Sequence, residues 1–259
     1  MKLDIYQVDA FTSELFKGNP AAVVPLPYWI NDDLMLNIAA ENNLSETAFY
    51  VCKNEEFEIR WFTPTVEVKL CGHATLAAAF VIFEKEGFKN DQIVFNSKSG
   101  VLTVNKSIDG LALDFPIINP ELIEIPEWIS FIGGDPKEAY LCGDDYLFIY
   151  DSEKNVRELK PSFSALKEVK ARGFICSSKS NSCDFVSRFF APRAGINEDP
   201  VTGSAHTKLV PYWAGIYKKN NFFARQISVR GGELKCILTG DRVKIQGAVR
   251  LYMKGELYL

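Results

Sequence analysis

The chain repeats itself. Arg60-Trp-Phe-Thr-Pro64 returns 128 residues later as Arg188-Phe-Phe-Ala-Pro192. Gly72-His-Ala-Thr, which opens an apolar helical run, is echoed 131 residues later by Gly203-Ser-Ala-His. A third correspondence sets Gln92-Ile-Val-Phe, ahead of the arm beginning at Gly100, against Gln226-Ile-Ser-Val ahead of Gly231, at an offset of 134. Upstream, an amphipathic stretch from Asn31 to Asn42 leads into the apolar run Leu44 to Cys52, just as Ser162 to Ala171 leads into Gly173 to Ser177. A repeat of about 130 residues is one domain's worth of chain. The sequence therefore predicts two similar domains, residues 1–115 and residues 116–259. The border falls where Pro116, Asn119, Pro120 and Pro126 interrupt both periodicities. A return of the final strand to the first domain stays open.

Each half reads as strands, a helix, a strand pair ending at a proline, a loop, a second helix and closing strands. The second helix of the first half, His73 to Glu86 with Gly87 as its C-cap, carries Ala74, Leu76, Ala77, Ala78, Ala79, Phe80, Val81, Ile82 and Phe83. A helix that is apolar nearly all round must be covered on every side. Strands rich in Val, Ile and Phe, arriving in hairpin-like order, cover it best as a curled sheet. The fold class is α+β, two barrel-like units, each a curved and mostly antiparallel sheet around a central helix. The counterpart helix, Ser204 to Lys218, contains Pro211, which removes a backbone hydrogen bond and predicts a kink or a break.

The 29 Lys and Arg against 33 Asp and Glu leave a formal charge of -4, with no basic excess for a nucleic-acid backbone. Met1 to Phe11 carry acidic side chains where a signal peptide needs an apolar run, and no stretch stays apolar for the ~18 residues a bilayer span requires. The six cysteines stand singly, without the C-x2-C spacing of a structural zinc site. These features point to reduced thiols in a cytoplasmic protein that partners neither nucleic acid nor membrane.

Two duplicated halves place a site most naturally in a cleft between them. The glycine-to-helix junctions at Gly72 and at Gly203 and Ser204 allow close approach of a ligand to first-turn amides backed by the helix dipole, an arrangement suited to a carboxylate. Simple helix capping is the plainer alternative. Glu46 shares a strand face with Leu44, Ala48 and Tyr50. A carboxylate among apolar neighbours suits a group that takes a proton from carbon and returns it elsewhere; a solvated glutamate at a strand start is the alternative. His73, on the first turn after Gly72, points toward the same pocket, and its helix-start position predicts a lowered imidazole pKa. A satisfied, half-buried histidine is the rival reading. Asp199 caps local amides or holds a substrate amine or hydroxyl, and His206 reads as a packing residue.

Cys71, at a helix start, predicts a lowered thiol pKa and hence a two-base racemase or epimerase. The matching place in the other half offers Asp199, Pro200, Val201 and Thr202, with no second thiol. A metal site from Cys71, His73 and His206 is set aside, because Cys and His two residues apart converge poorly at a helix start and no fourth ligand is evident. A binding module that holds a small metabolite without turnover is the remaining rival.

Taken together, Tyr6-Gln-Val-Asp-Ala-Phe, Gly18-Asn-Pro-Ala-Ala, Asn43-Leu-Ser-Glu-Thr-Ala-Phe, Arg60-Trp-Phe-Thr-Pro, Gly72-His-Ala-Thr-Leu-Ala and Asp199-Pro-Val-Thr-Gly-Ser-Ala-His resemble the PhzF-like family over essentially the full length. This is the phenazine-biosynthesis isomerase group, related to diaminopimelate epimerase. The resemblance implies two hot-dog-like barrels, commonly a homodimer, and an isomerase that needs no cofactor and no metal. It implies Glu46 as the acid/base that shifts a proton between carbons of a small carboxylate-bearing metabolite, with His73 and Asp199 lining the site. Asn19, Ser45, Gly72, Gly203 and Ser204 then match positions that hold substrate polar groups. It does not carry over a substrate, phenazine precursors included.

Overall fold

The computed structural model describes residues 1–259, which divide into two compact units. One comprises Met1–Asp114 with Gln246–Leu259, the other Phe115–Ile245. In the first unit β1 (Lys2–Ala10), β2 (Asn19–Leu26), α1 (Asp32–Asn42), β3 (Glu46–Lys53), β4 (Glu56–Phe62), β5 (Glu67–Val68), α2 (Gly72–Glu84), β6 (Gln92–Ser97), β7 (Gly100–Ser107) and β8 (Gly110–Pro116) follow in order. Neighbours pair as β1 antiparallel to β2, β2 parallel to β3, β3 antiparallel to β4, β4 parallel to β6, and β6 antiparallel to β7.

The second unit runs β9 (Glu121–Ile123), β10 (Glu138–Cys142), β11 (Asp145–Ile149), α3 (Glu153–Arg157), α4 (Phe163–Leu166), β12 (Gly173–Lys179), β13 (Phe185–Ala191), β14 (Ile196–Asp199), α5 (Gly203–Tyr217), β15 (Asn221–Gln226) and β16 (Gly232–Thr239). Its pairing from β10 onward repeats the sequence antiparallel, parallel, antiparallel, parallel, antiparallel. The duplication is thus a duplication of ladders. After β17 (Arg242–Gly247), β18 (Val249–Tyr258) pairs antiparallel with the whole of β1, from Lys2 opposite Tyr258 to Ala10 opposite Val249. It does for β1 what β9 does for β10.

The all-apolar helix expected of the first half is α2, and strands lie on several sides of it: β1, β2, β3, β7 and β18 all pack against it. Leu76, Ala77, Ala78, Ala79, Val81 and Ile82 are fully buried there. The chain leaves α2 through Gly87, whose φ of 72° is the left-handed conformation that ends such a helix. In the second unit α5 is similarly enclosed. Trp213 stacks on Phe185 of β13 and donates from Nε1 to the Ser177 hydroxyl of β12, while Tyr212 meets the Tyr140 ring of β10 edge-on. Pro211 neither breaks α5 nor leaves a defect: the carbonyl it frees, on Thr207, accepts from the Ile118 amide at 3.0 Å.

The arginine echo has a structural meaning. Arg60 holds Glu67 of β5 through Nε and Nη2, both at 2.8 Å, and its guanidinium lies 5.2 Å from the Phe62 ring. Arg188 holds Glu198 of β14 through the same two nitrogens at 2.7 and 2.9 Å, over Phe190 at 4.8 Å. Each bidentate clamp ties a short return strand to the strand before it, in a half-buried setting where such pairs are strongest. The Gln92 and Gln226 correspondence is corrected by the ladders. Gln92 opens β6 whereas Gln226 closes β15, so the counterpart of Gln92 is Asn221. The upstream helical echo of α1 shrinks to the single turn of α4.

The ladders also locate the partner of Glu46. The parallel pair β2 and β3 starts with Ala21 opposite Glu46, and the parallel pair β11 and β12 starts with Asp145 opposite Gly173. Gly173 is there because Phe189 fills the space: a Cβ at position 173 would fall 2.2 Å from the Phe189 Cζ. Gly173→Ala is expected to cost about 1–3 kcal/mol through overpacking. Urea denaturation of the variant, with an unchanged slope and a lowered midpoint, checks this.

Candidate active site

Glu46, Asn19 and His73 come together because three elements begin at one place. Asn19 is the first residue of β2, Glu46 the first of β3, and His73 lies in the first turn of α2. Parallel pairing puts the starts of β2 and β3 side by side. On β3, Phe49 and Val51 pack with Met35, Ile38 and Ala39 of α1. The alternate residues Glu46, Ala48 and Tyr50 therefore face the α2 side, whereas Leu44, placed with them by the sequence pattern, lies before the strand and packs on the α1 cluster. Ser45, in the turn just before β3, is half-buried.

Glu46 is 9% exposed and His73 5%. Their facing atoms, Oε2 and Nε2, are 3.2 Å apart. This is ion-pair contact, without the alignment of a hydrogen bond for either atom. On the other side of the ring, His73 Nδ1 lies 3.1 Å from the Asn19 amide and 3.5 Å from Cys71 Sγ. Neither Cys71 nor any other side chain caps α2, so Gly72 starts the helix with its first amides uncapped by side chains.

Two of the expected pKa shifts are reversed. Burial disfavours the His73 imidazolium, yet the groups flanking it, Cys71 and Glu46, outweigh burial and hold its pKa well above the usual value. The Cys71 thiol is itself pushed up to about 11, by burial and then by the Glu46 charge. The helix start favours a neutral imidazole and a thiolate. Here burial raises the thiol first, and two groups that only the fold brings to the ring, Cys71 and Glu46, raise the imidazole. Asn19 presents its Nδ2 to the ring, 3.1 Å from Nδ1.

In the second unit Asp199 is buried at the end of β14. Its Oδ2 accepts from the Thr202 hydroxyl. Gln226, the last residue of β15, closes the arrangement: Nε2 donates to the Asp199 carbonyl at 2.7 Å, and Oε1 accepts from the Thr202 amide at 2.8 Å. Gln226 was missed as a site residue because its apparent counterpart, Gln92, has no such part to play. Gly203 opens α5, again without a side-chain cap. The Ser204 hydroxyl is turned to another cluster, accepting from Arg172 Nη1 at 3.2 Å. Arg172 also grips the buried Asp145 in two places, and Lys208 Nζ sits 3.1 Å from the same carboxylate. Where the first unit has Glu46 opposite Ala21, the second has this neutralised knot opposite Gly173.

These geometries set the frame for comparison with known proteins. The model of the family described as phenazine biosynthesis-like protein, PhzC-PhzF, matches residues 8–255. The chain belongs to that family. An uncharacterized isomerase of Pseudomonas aeruginosa is 48% identical over 259 residues, covering all of both chains. A PhzF-family crystal structure from Enterococcus faecalis superposes with a TM-score of 0.97 at 48% identity, again over the full length of both. A hydroxyproline epimerase of Agrobacterium vitis shares the fold at a TM-score of 0.65 and 10% identity, over 99% of this chain and 92% of its own. The protein is accordingly an isomerase of the PhzF-like group, with an epimerase-like fold.

His206, in contrast to His73, is fully buried, packs on Phe185 and donates from Nδ1 to the Thr202 carbonyl at 2.9 Å, so it is a neutral structural residue. Burial lowers its pKa from 6.5 to about 4. The unfolded chain then binds more protons between those values, and stability falls as pH drops through that window, by at most about 1.4 kcal/mol per pH unit. His73, with its raised pKa, acts oppositely, stabilising at low pH and losing that contribution as pH rises through its folded value. Urea unfolding of wild type and His206→Asn at pH 7 and pH 5 is expected to show a shallower acid loss in the variant.

Proposed function

We propose that the protein shifts a proton between carbons of a small carboxylate-bearing metabolite, without a cofactor, with Glu46 as the general acid/base. The observation that carries this reading is the buried Glu46 and His73 pair, 3.2 Å apart beside the uncapped start of α2. Substrate carboxylate docks on the α2 amides near Gly72, where dipole and N–H groups favour an anion. Glu46 removes a proton from an activated carbon and returns it to another. His73 donates from Nε2 toward the charge that develops, and Asn19, at Nδ1, keeps the ring in place. Asp199, held by Thr202 and Gln226, is assigned to a substrate amine or hydroxyl, and Ser45, Gly203 and the backbone amide of Ser204, whose hydroxyl is engaged by Arg172, to further polar groups of the substrate.

The two-base reading through Cys71 loses support from the same geometry, since a thiol raised to about 11 is poorly suited to take a proton at neutral pH. The proposal also carries a homodimer and a cytoplasmic place of action. Six free thiols fit that compartment, and no helix is long and apolar enough to cross a membrane.

The test is isotope exchange. Incubation in deuterated water with a panel of cyclic amino and hydroxy acids is expected to leave carbon-bound deuterium in at least one of them. Glu46→Gln should reduce the exchange rate by at least ~100-fold while the circular dichroism stays native. A folded Gln variant that exchanges at the wild-type rate overturns the role of Glu46, and loss on Cys71→Ser alone would restore the thiol mechanism.

A further inference from the structure

The objection raised by the spacing of Cys71 and His73 does not survive the fold. With Cys71 extended at φ -145° and ψ 109° and His73 already helical, the two side chains meet, Sγ to Nδ1 at 3.5 Å. The third group is Glu46 from β3, in place of His206. One ligand atom from each of Glu46, Cys71 and His73 lies within 4.8 Å of the other two, and all three residues are buried. Zinc bonds of about 2.0–2.3 Å to N, O and S place tetrahedral ligand atoms somewhat over 3 Å apart. One ring nitrogen serves the ion, so the side chain now at the other nitrogen must swing round to complete that spacing.

A second observation points to a ligand. His73 Nε2 and Glu46 Oε2 are both buried with no hydrogen-bond partner, although they face each other. Buried polar atoms of this kind are rare and call for an occupant. We propose that Glu46, Cys71 and His73 form a three-ligand site for Zn2+, with the fourth position open, which closes the proton-transfer centre when filled.

The charges balance. Zn2+ displaces the thiol proton to solvent, leaving carboxylate, neutral imidazole, thiolate and Zn2+, with net charge zero. A thiolate and a carboxylate together offset the charge of the dication beside a neutral imidazole, which lowers the penalty for charging an interior site. The high thiol pKa is no obstacle, because a coordinating metal deprotonates a thiol outright. One soft thiolate, one imidazole and one carboxylate suit Zn2+ and disfavour Mg2+ or Ca2+. That occupancy blocks catalysis rests on Glu46 being the base; the binding itself does not.

Co2+ is the probe, since its thiolate bond absorbs in the near ultraviolet. Titrating the full chain with Co2+ is expected to give a thiolate-to-cobalt band with tetrahedral visible absorption, saturating at one metal per chain and abolished by added Zn2+. Cys71→Ala should remove the near-ultraviolet band, with Cys71→Ser as the second variant if alanine impairs folding. Glu46→Gln should weaken Zn2+ binding by at least ~10-fold, the least that loss even of an outer-shell partner costs. Cys52→Ala, at an exposed thiol, should leave the band unchanged. No band in the folded wild type, or a band that persists in Cys71→Ala, overturns the site. Because the readout is spectroscopic, its failure is distinct from a failure of the exchange assay.

Discussion

The structure depends on enclosing a helix with no polar face. Nearly every side chain of α2 is buried, so strands must surround it, and the chain does this by alternating antiparallel and parallel pairing within a few strands. Parallel pairs are what bring the starts of elements together. Had β2 and β3 formed a hairpin, Asn19 and Glu46 would lie at opposite ends of the ladder. The cluster of Asn19, Glu46, Cys71 and His73 is thus a by-product of the way the core helix is covered.

Much of this was legible from residues. The all-apolar helix, the two arginine motifs and the glycine junctions each follow from a local pattern, and the duplication followed from their order. What could not be read was anything that depends on register across the sheet. Gln92 and Gln226 look alike but sit at opposite ends of their strands, so the clamp of Gln226 on Asp199 and Thr202 was hidden. Pro211 does not break α5, and the carbonyl it frees finds a distant amide, Ile118, that no local pattern announces. The directions of the His73 and Cys71 shifts escape the sequence for the same reason: helix position is a local property, whereas burial of the thiol and the approach of Glu46 from β3 depend on the fold.

The two units use one ladder position differently. In the first, the opening pair of the parallel ladder carries an acid whose charge is balanced by a single histidine. In the second, the acid has moved to the neighbouring strand, where Arg172 and Lys208 lock it. A buried carboxylate with two cationic partners is expensive to disturb and poorly placed to exchange protons. The repeat that makes the fold symmetric in its pairing therefore leaves it asymmetric in its chemistry.

The placement of β18 bears on how the protein is made. Residues 115–245 are contiguous and can close as soon as they leave the ribosome, whereas the first unit waits for residues 246–259 to cover β1. Vectorial synthesis usually favours the N-terminal domain. Here the last strand of the first unit is also the last to be synthesised, so on the growing chain the edge of β1 that β18 covers has no partner until every residue of the second unit has been made.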